Sequence, residues 1–100
     1  MSKKPETLFR ERIRPKLDGI PGTWWESIQQ KAILGSPDII GCVAGYFVGL
    51  ELKADEFSKV SKLQELKLRQ IAAAGGLGIV VHPGNWSAVY DMLCHLAEKK

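Results

Sequence analysis

The sequence contains few of the residues that build zinc sites. Its 100 residues include only two cysteines, Cys42 and Cys94, and two histidines. There is no CxxC pair, and no second His or Cys lies at ligand spacing from His82, which argues against zinc. Two widely separated cysteines are typical of reduced thiols, and we expect both to be mostly buried.

Long apolar runs and nucleotide-binding motifs are also missing. No segment approaches the ~18 to 20 consecutive apolar residues of a membrane span. The polar segment Met1 to Glu6 is not followed by the apolar core of a signal peptide. The sequence therefore predicts a cytoplasmic protein without a membrane association. The GxxxxGK[ST] pattern of nucleotide-driven motors does not occur either.

The length and composition are those of one small globular domain. Hydrophobic residues make up 45% of the chain, which is enough for a core, although a small one. We expect a polar, flexible tail at residues 1–5 and a single domain over residues 6–100. Many domains of this size gain stability by dimerising. The net charge of +3 permits nucleic-acid binding without requiring it.

Periodicity and turn residues predict an α/β fold with the element order α-β-β-β-α-β-α. Phe9, Ile13 and Leu17 form an apolar helical stripe, although Pro15 should end or kink that helix. Four strands are predicted at 24–30, 38–43, 46–54 and 78–82, and two further helices at 61–74 and 86–98. Ser61 and Asn85 are the expected helix caps, and Gly75-Gly76 is the expected helix end.

The third predicted strand is connected to the fourth through a helix. Crossovers of this kind usually give parallel, right-handed pairing, whereas the second and third strands form an antiparallel hairpin. The sequence therefore predicts a mixed sheet with helices packed on it.

Two acidic residues flank the predicted hairpin. Folding the chain about Ala44-Gly45 places Asp38 opposite Glu51, with Cβ atoms roughly 5 Å apart. Carboxylates this close repel each other unless a cation lies between them, and Mg²⁺ binds such oxygen ligands. Lys53 lies two residues after Glu51 and so on the same strand face. Glu51 also interrupts an apolar strand, where Glu is disfavoured.

These residues carry a resemblance to a known nuclease family. Pro37-Asp38 followed by Glu51-Leu52-Lys53 matches the PD-(D/E)xK pattern. The order of Gly35-Ser36-Pro37-Asp38, Gly45 to Lys53, Ser61-x-x-Gln64 and Ala74-Gly75-Gly76 resembles the VRR-NUC branch, and in particular its small stand-alone, phage-type nucleases. The resemblance covers roughly residues 6 to 96.

The resemblance implies a role for each site residue. Asp38, Glu51 and the backbone carbonyl of Leu52 would bind Mg²⁺ or Mn²⁺. Lys53 would assist the attacking water and offset charge in the transition state. Gln64 would lie beside the metal and orient a water or a carboxylate.

The family also has an acid on its first helix, for which this chain offers two candidates. On a helical wheel, Glu6 points at about 240°, within the range of about 180° to 260° covered by the buried stripe, whereas Glu11 points at about 20°. Glu6 is therefore predicted to reach the sheet and to bind the metal, and Glu11 to be solvated.

The expected function is a metal-dependent endonuclease that hydrolyses DNA and leaves a 5′-phosphate and a 3′-hydroxyl. By resemblance, we expect a homodimer that prefers branched DNA such as four-way (Holliday) junctions. The alternatives are a less selective nicking or flap nuclease, and a DNA-binding accessory domain that needs a partner for chemistry.

Lys31 is a candidate phosphate contact. Eight further basic residues are candidate DNA contacts. Four are expected on the outer side of the first helix, namely Arg10, Arg12, Arg14 and Lys16, and four add charge to the second, namely Lys59, Lys62, Lys67 and Arg69. The three tryptophans are expected in the core or an interface: Trp24, Trp25 and Trp86.

Overall fold

The structure is a computed structural model that describes residues 2–28 and 34–99. It has a four-stranded mixed sheet and three helices in the predicted order α-β-β-β-α-β-α. The elements are α1 (Pro5–Asp18), β1 (Thr23–Ser27), β2 (Ile39–Val43), β3 (Tyr46–Leu52), α2 (Lys62–Ala73), β4 (Leu77–Val81) and α3 (Trp86–Ala97). The predicted end of the first strand at Gln30 lies outside the described residues.

Helix α1 begins at Pro5, one residue before the predicted domain boundary. Proline suits the first helical position because its fixed φ matches the helix and its missing N–H would have no partner there. The predicted stripe is confirmed, since Phe9, Ile13 and Leu17 are all buried. The helix does not end at Pro15, as one of the two expectations had it, because it continues through this residue to Asp18.

The hairpin between β2 and β3 turns at the two predicted residues. Ala44 and Gly45 both have positive φ, at 51° and 86°, as a two-residue type I′ turn requires. The observed register pairs Val43 with Tyr46 and ends with Ile39 opposite Leu50. The ladder thus has the predicted alignment and stops one pair before Asp38 and Glu51.

The strand order in the sheet is β1-β2-β3-β4. β1 and β2 pair antiparallel, as do β2 and β3, whereas β3 and β4 pair parallel across the α2 crossover. The mixed sheet is therefore confirmed. The crossover leads the chain from the end of β3 over the sheet, which brings the first turn of α2 near the residues that follow β3.

The two faces of the sheet carry different helices. Val48, Leu50 and Leu52 alternate along β3 and lie in one core with residues of α1 and α3. Gly49 lies on the opposite face, where an added Cβ would meet the Ile71 side chain of α2 at 2.8 Å. Its neighbour in β4, Gly78, would meet the backbone of Leu68. These two glycines let α2 pack closely on the face to which Glu51 also belongs.

Helix α2 has the predicted start and end. Ser61 accepts a hydrogen bond from the Gln64 backbone, and the Gln64 side chain accepts one from the Ser61 backbone, which completes a capping box. After Ala74, Gly75 takes a positive φ of 97° and ends the helix.

Two expectations about single residues were wrong. Asn85 precedes α3, but its side chain makes no cap bond and instead binds the backbones of His82 and Val80. Cys42 is exposed rather than buried, whereas Cys94 is half-buried against the core as expected; both are thiols without a disulfide. Trp24 is 55% exposed and so lies outside the core, because its side chain lies on a part of the sheet that α2 leaves open. Its expected place in an interface stays a prediction. Trp25 and Trp86 are buried as predicted.

None of the helices within residues 2–28 and 34–99 has the length and apolar character needed to cross a membrane.

Candidate metal centre

Three carboxylates from separate parts of the chain converge where β2 begins and β3 ends. Glu6 in the first turn of α1, Asp38 just before β2 and Glu51 in β3 each place an oxygen within 4.8 Å of the others. Asp38 and Glu51 are buried, at 4% and 2% exposure, and Glu6 is half-buried. The prediction that Glu6 reaches the sheet is thereby confirmed.

Glu11 lies on the solvated side of α1, as the helical wheel predicts. Its carboxylate accepts two hydrogen bonds from Lys3 Nζ, at 2.6 and 2.9 Å, and half of its side chain is exposed. The two acids of α1 thus have different environments, although only five positions separate them.

Backbone pairing fixes the position of Asp38 on both sides. Its N–H donates to Leu50 O at 2.9 Å, and its carbonyl accepts from Ile28 N at 2.8 Å. One carboxylate oxygen, Oδ2, accepts from the backbone N–H of Leu52 at 2.8 Å. The other, Oδ1, lies towards Arg10. The carboxylate is therefore held in one orientation by the adjacent strand.

Leu52 itself has the core side chain that was expected, with 0% exposure. The metal-binding role of its carbonyl stays a prediction. What the structure adds is the bond from its N–H to Asp38, which ties the end of β3 to the first acid of the cluster.

Gln64 joins Glu51 and Lys53 through its two side-chain polar atoms. Its Nε2 donates to Glu51 Oε2 at 2.7 Å, while its Oε1 accepts from Lys53 Nζ at 3.1 Å. Lys53 Nζ also lies 3.7 Å from Glu51 Oε2. The predicted grouping of Glu51, Lys53 and Gln64 is therefore present. Because Oε1 also accepts from Ser61 N, the orientation of the amide is determined by α2 as well as by the site.

Arg10 is the residue at this site that the sequence reasoning missed. It was expected on the outer side of α1, but its Nη2 lies 3.8 Å from Asp38 Oδ1 and only 29% of its side chain is exposed. The sequence did indicate this position, because Arg10 follows Glu6 by four residues and therefore lies on the same face of the helix. The same expectation was wrong for Arg14, which is half-buried and bonded to Ser27 and the Trp25 carbonyl.

The remaining basic residues differ in exposure. Arg12 and Lys16 of α1 are exposed, and the Arg12 guanidinium lies over the Phe9 ring. On the α2 side, Lys67 is half-buried, whereas Lys59, Lys62 and Arg69 are exposed. Lys31, the other candidate phosphate contact, lies outside the described residues.

Gly35 in the motif before Asp38 has a packing role. Its φ is +81°, and an added Cβ would lie 2.7 Å from Leu63 Cγ of α2. Glycine is therefore required both by the backbone conformation and by the close contact. It places the segment leading to Asp38 directly against the helix that carries Gln64.

The donor set fits a hard divalent cation. All three converging groups are carboxylates, and two of them are buried, where mutual repulsion is least screened by solvent. Mg²⁺ and Mn²⁺ take oxygen ligands of this kind, whereas the cysteine and histidine ligands typical of zinc do not occur among the three. Glu6, Asp38 and Glu51 are thus the residues that would hold the ion.

Comparisons with models of protein families, with curated proteins and with solved structures found no match.

Proposed function

We propose that the protein is a divalent-metal-dependent nuclease of the VRR-NUC type within the PD-(D/E)xK superfamily, acting on DNA. The observation that carries the proposal is the convergence of Glu6, Asp38 and Glu51 beside the ammonium group of Lys53. Burying these charged groups costs desolvation free energy. Phosphodiester hydrolysis explains why they are kept together, because the carboxylates can bind a metal ion and the ammonium group can act on the water and the phosphate. The PD-(D/E)xK pattern of Asp38, Glu51 and Lys53 supports the same chemistry.

Glu6, Asp38 and Glu51 would hold Mg²⁺ or Mn²⁺, which would supply positive charge to polarise the scissile phosphate and to lower the pKa of a water. The residues of the chain have distinct tasks around it. Lys53 hydrogen-bonds and orients the attacking water and offsets charge that develops on the phosphate. Gln64 holds Glu51 and Lys53 in fixed relative positions. The water oxygen bonds to phosphorus and gives up a proton to solvent as the P–O3′ bond breaks, and O3′ takes a proton from solvent, which leaves a 5′-phosphate and a 3′-hydroxyl.

Branched DNA, such as a four-way junction, is the proposed substrate, and a homodimer is the proposed assembly. A catalytic domain of 100 residues has little surface with which to read base sequence. Two copies related by a two-fold axis would present two sites to a substrate of the same symmetry. An exposed apolar row across three strands, formed by Trp24, Cys42 and Phe47, supports contact with a second copy.

Two other functions remain as alternatives. One is a less selective nicking or flap nuclease that uses the same residues. The other is a DNA-binding accessory domain, against which the grouping of Asp38, Glu51 and Lys53 argues, because DNA binding alone gains nothing from buried acids near phosphates. The cytoplasmic location also stays a prediction.

Calorimetry and cleavage together test the nuclease proposal. Wild-type protein should bind Mg²⁺ or Mn²⁺, and the Asp38→Ala variant should lose that binding while retaining its fold by circular dichroism. Cleavage of labelled DNA should require the cation and disappear in the variant. Equal cation binding by both proteins would eliminate the site, and cation binding without cleavage of junction, flap or linear DNA would favour the accessory domain.

A further inference from the structure

Arg10 and Arg14 form a natural pair for comparison. Both project from α1, one helical turn apart, and 29% of each side chain is exposed. All three nitrogens of the Arg14 guanidinium are bonded: Nε to Asp18 at 3.1 Å, Nη1 to Ser27 at 2.6 Å and Nη2 to the Trp25 carbonyl at 2.9 Å. Each nitrogen of the Arg14 guanidinium thus has a partner within the protein, as expected of an arginine with a structural role.

Within the part of the chain that the structure describes, Arg10 lacks such contacts. Its only ion pair within the described residues is the 3.8 Å approach of Nη2 to Asp38, which is too long for a hydrogen bond. Its Nε is buried and has no hydrogen-bond acceptor in the described part of the chain. Burying an N–H donor without an acceptor costs free energy. A ligand whose oxygens match the fork of the guanidinium group would accept these hydrogen bonds and remove that cost.

We propose that Arg10 is a phosphate-binding residue of the candidate metal centre, a role that rests on the proposed nuclease function. A cation held by Asp38 would compete with the guanidinium for the same carboxylate, because both are positive. Arg10 then turns its fork from Asp38 to a DNA phosphate beside the cation, where two parallel N–H···O bonds can form. The ligand is a phosphodiester of the DNA backbone, and the contact strengthens only when the cation is present.

The order of events follows from charge. Without a cation, Arg10 partly neutralises Glu6, Asp38 and Glu51 and is held close to them. With the cation bound, the carboxylates are already neutralised and attract the Arg10 guanidinium less strongly. Arg10 therefore links occupation of the cation site to affinity for DNA, which an exposed arginine on the same helix could not do.

Fluorescence anisotropy with a fluorescein-labelled four-way DNA junction tests this role. Binding is measured at constant ionic strength, once with Ca²⁺ and once with EDTA, and gels verify that the DNA stays intact. Arg10→Gln should lose about tenfold or more of the DNA affinity in Ca²⁺, the scale of a hydrogen bond to a charged group, and much less in EDTA. Arg10→Lys, which keeps the charge but not the fork, should lose an intermediate amount.

Two variants of α1 are the controls. Arg12→Gln removes an exposed charge and should weaken binding slightly and equally in both conditions. Arg14→Gln should lower the melting temperature and leave the Ca²⁺ dependence of binding unchanged. Calorimetry should show that Arg10→Gln binds Mg²⁺ at least as tightly as wild type, because a positive charge near Asp38 has been removed.

The outcomes separate this role from the proposed function. If Arg10→Gln binds DNA like Arg12→Gln in both conditions, or binds Mg²⁺ more weakly than wild type, Arg10 only positions Asp38 and the inference is overturned. In that case cleavage by the wild type would leave the nuclease proposal standing. A wild-type protein that binds neither cation nor DNA overturns both.

Discussion

The side-chain amide of Gln64 donates to Glu51 Oε2 at 2.7 Å, so the first turn of α2 is bonded directly to the buried acid of β3. The same side chain completes the capping box of α2 through Ser61. One residue therefore begins a helix and orients a site carboxylate. The two roles can be separated because they use different partners.

A first prediction separates the cap from the site. Ser61→Ala should lower the free energy of unfolding by about 1 kcal/mol, the usual cost of losing a cap, with cleavage close to wild type. Gln64→Ala should lower the cleavage rate by about tenfold or more, since it also removes the bonds to Glu51 and Lys53. Urea unfolding and single-turnover cleavage provide the two measurements. Equal cleavage by both variants would assign Gln64 to the cap alone.

A second prediction compares the two acids of α1. Glu6→Gln should weaken Mg²⁺ binding and cleavage, because its carboxylate lies within 4.8 Å of the other two. Glu11→Gln removes the same charge from the opposite side and should change neither. Calorimetry and cleavage rates on both variants provide the check, and the reverse pattern would exclude Glu6 as a ligand.

A third prediction concerns Lys53. Lys53→Ala should retain cation binding and fold while cleaving roughly 10²-fold more slowly, the scale of losing one transition-state donor. The loss should appear in single-turnover rates, with DNA affinity nearly unchanged. The exposed Lys99, which follows α3, offers a matched control, because Lys99→Ala removes an equal charge outside the cluster and outside the candidate DNA contacts. Wild-type turnover by Lys53→Ala would show that Lys53 only forms an ion pair with Glu51 and takes no part in cleavage.

A fourth prediction concerns the close packing of α2 on the sheet. A Cβ on Gly78 would lie 2.5 Å from the Leu68 carbonyl oxygen, so Gly78→Ala should push α2 away from β4. We expect the protein to lose about 1 to 3 kcal/mol of stability, as overpacking does. Cleavage should fall even where the variant is fully folded, because Gln64 moves with the helix. Gly45→Ala is the control for an added methyl group, since its Cβ would meet no atom of the described residues within 4 Å. It is strained only by its positive φ and should affect stability without affecting cleavage by the folded fraction.

The last prediction concerns assembly and substrate. Light scattering should show a dimer, and Trp24→Glu or Phe47→Glu should shift it towards monomer, because each places a charge in the exposed apolar row. Wild-type protein should cut a four-way junction by paired, near-symmetric nicks and prefer it to linear duplex. Labelling each junction strand in turn gives the cut positions. A monomer that cuts linear duplex equally fast would overturn the substrate assignment and leave the nuclease assignment standing.

Local patterns predicted the elements and the alignment of the two strand acids. The Ala44-Gly45 turn fixes the hairpin register, because a two-residue turn leaves only one alignment, and Asp38 therefore meets Glu51. The spacing of the apolar stripe likewise gave the inward direction of Glu6. Such inferences succeed because side-chain direction within one helix or strand follows from its own periodicity.

Tertiary packing decided the contacts between elements and the exposure of single residues. The bond between Gln64 and Glu51 depends on how closely α2 packs on Gly49 and Gly78, and periodicity along either element does not give that distance. Cys42 is exposed because α2 packs on β3 and β4 and leaves its part of the sheet open. Arg10 shares a helix face with Glu6, but its inward position is favourable only beside carboxylates that other elements bring to it. The sequence by itself thus determined which way the apolar stripe and the site acids point, whereas the tertiary structure decided which side chains meet, because the distance between two elements depends on both of their surfaces.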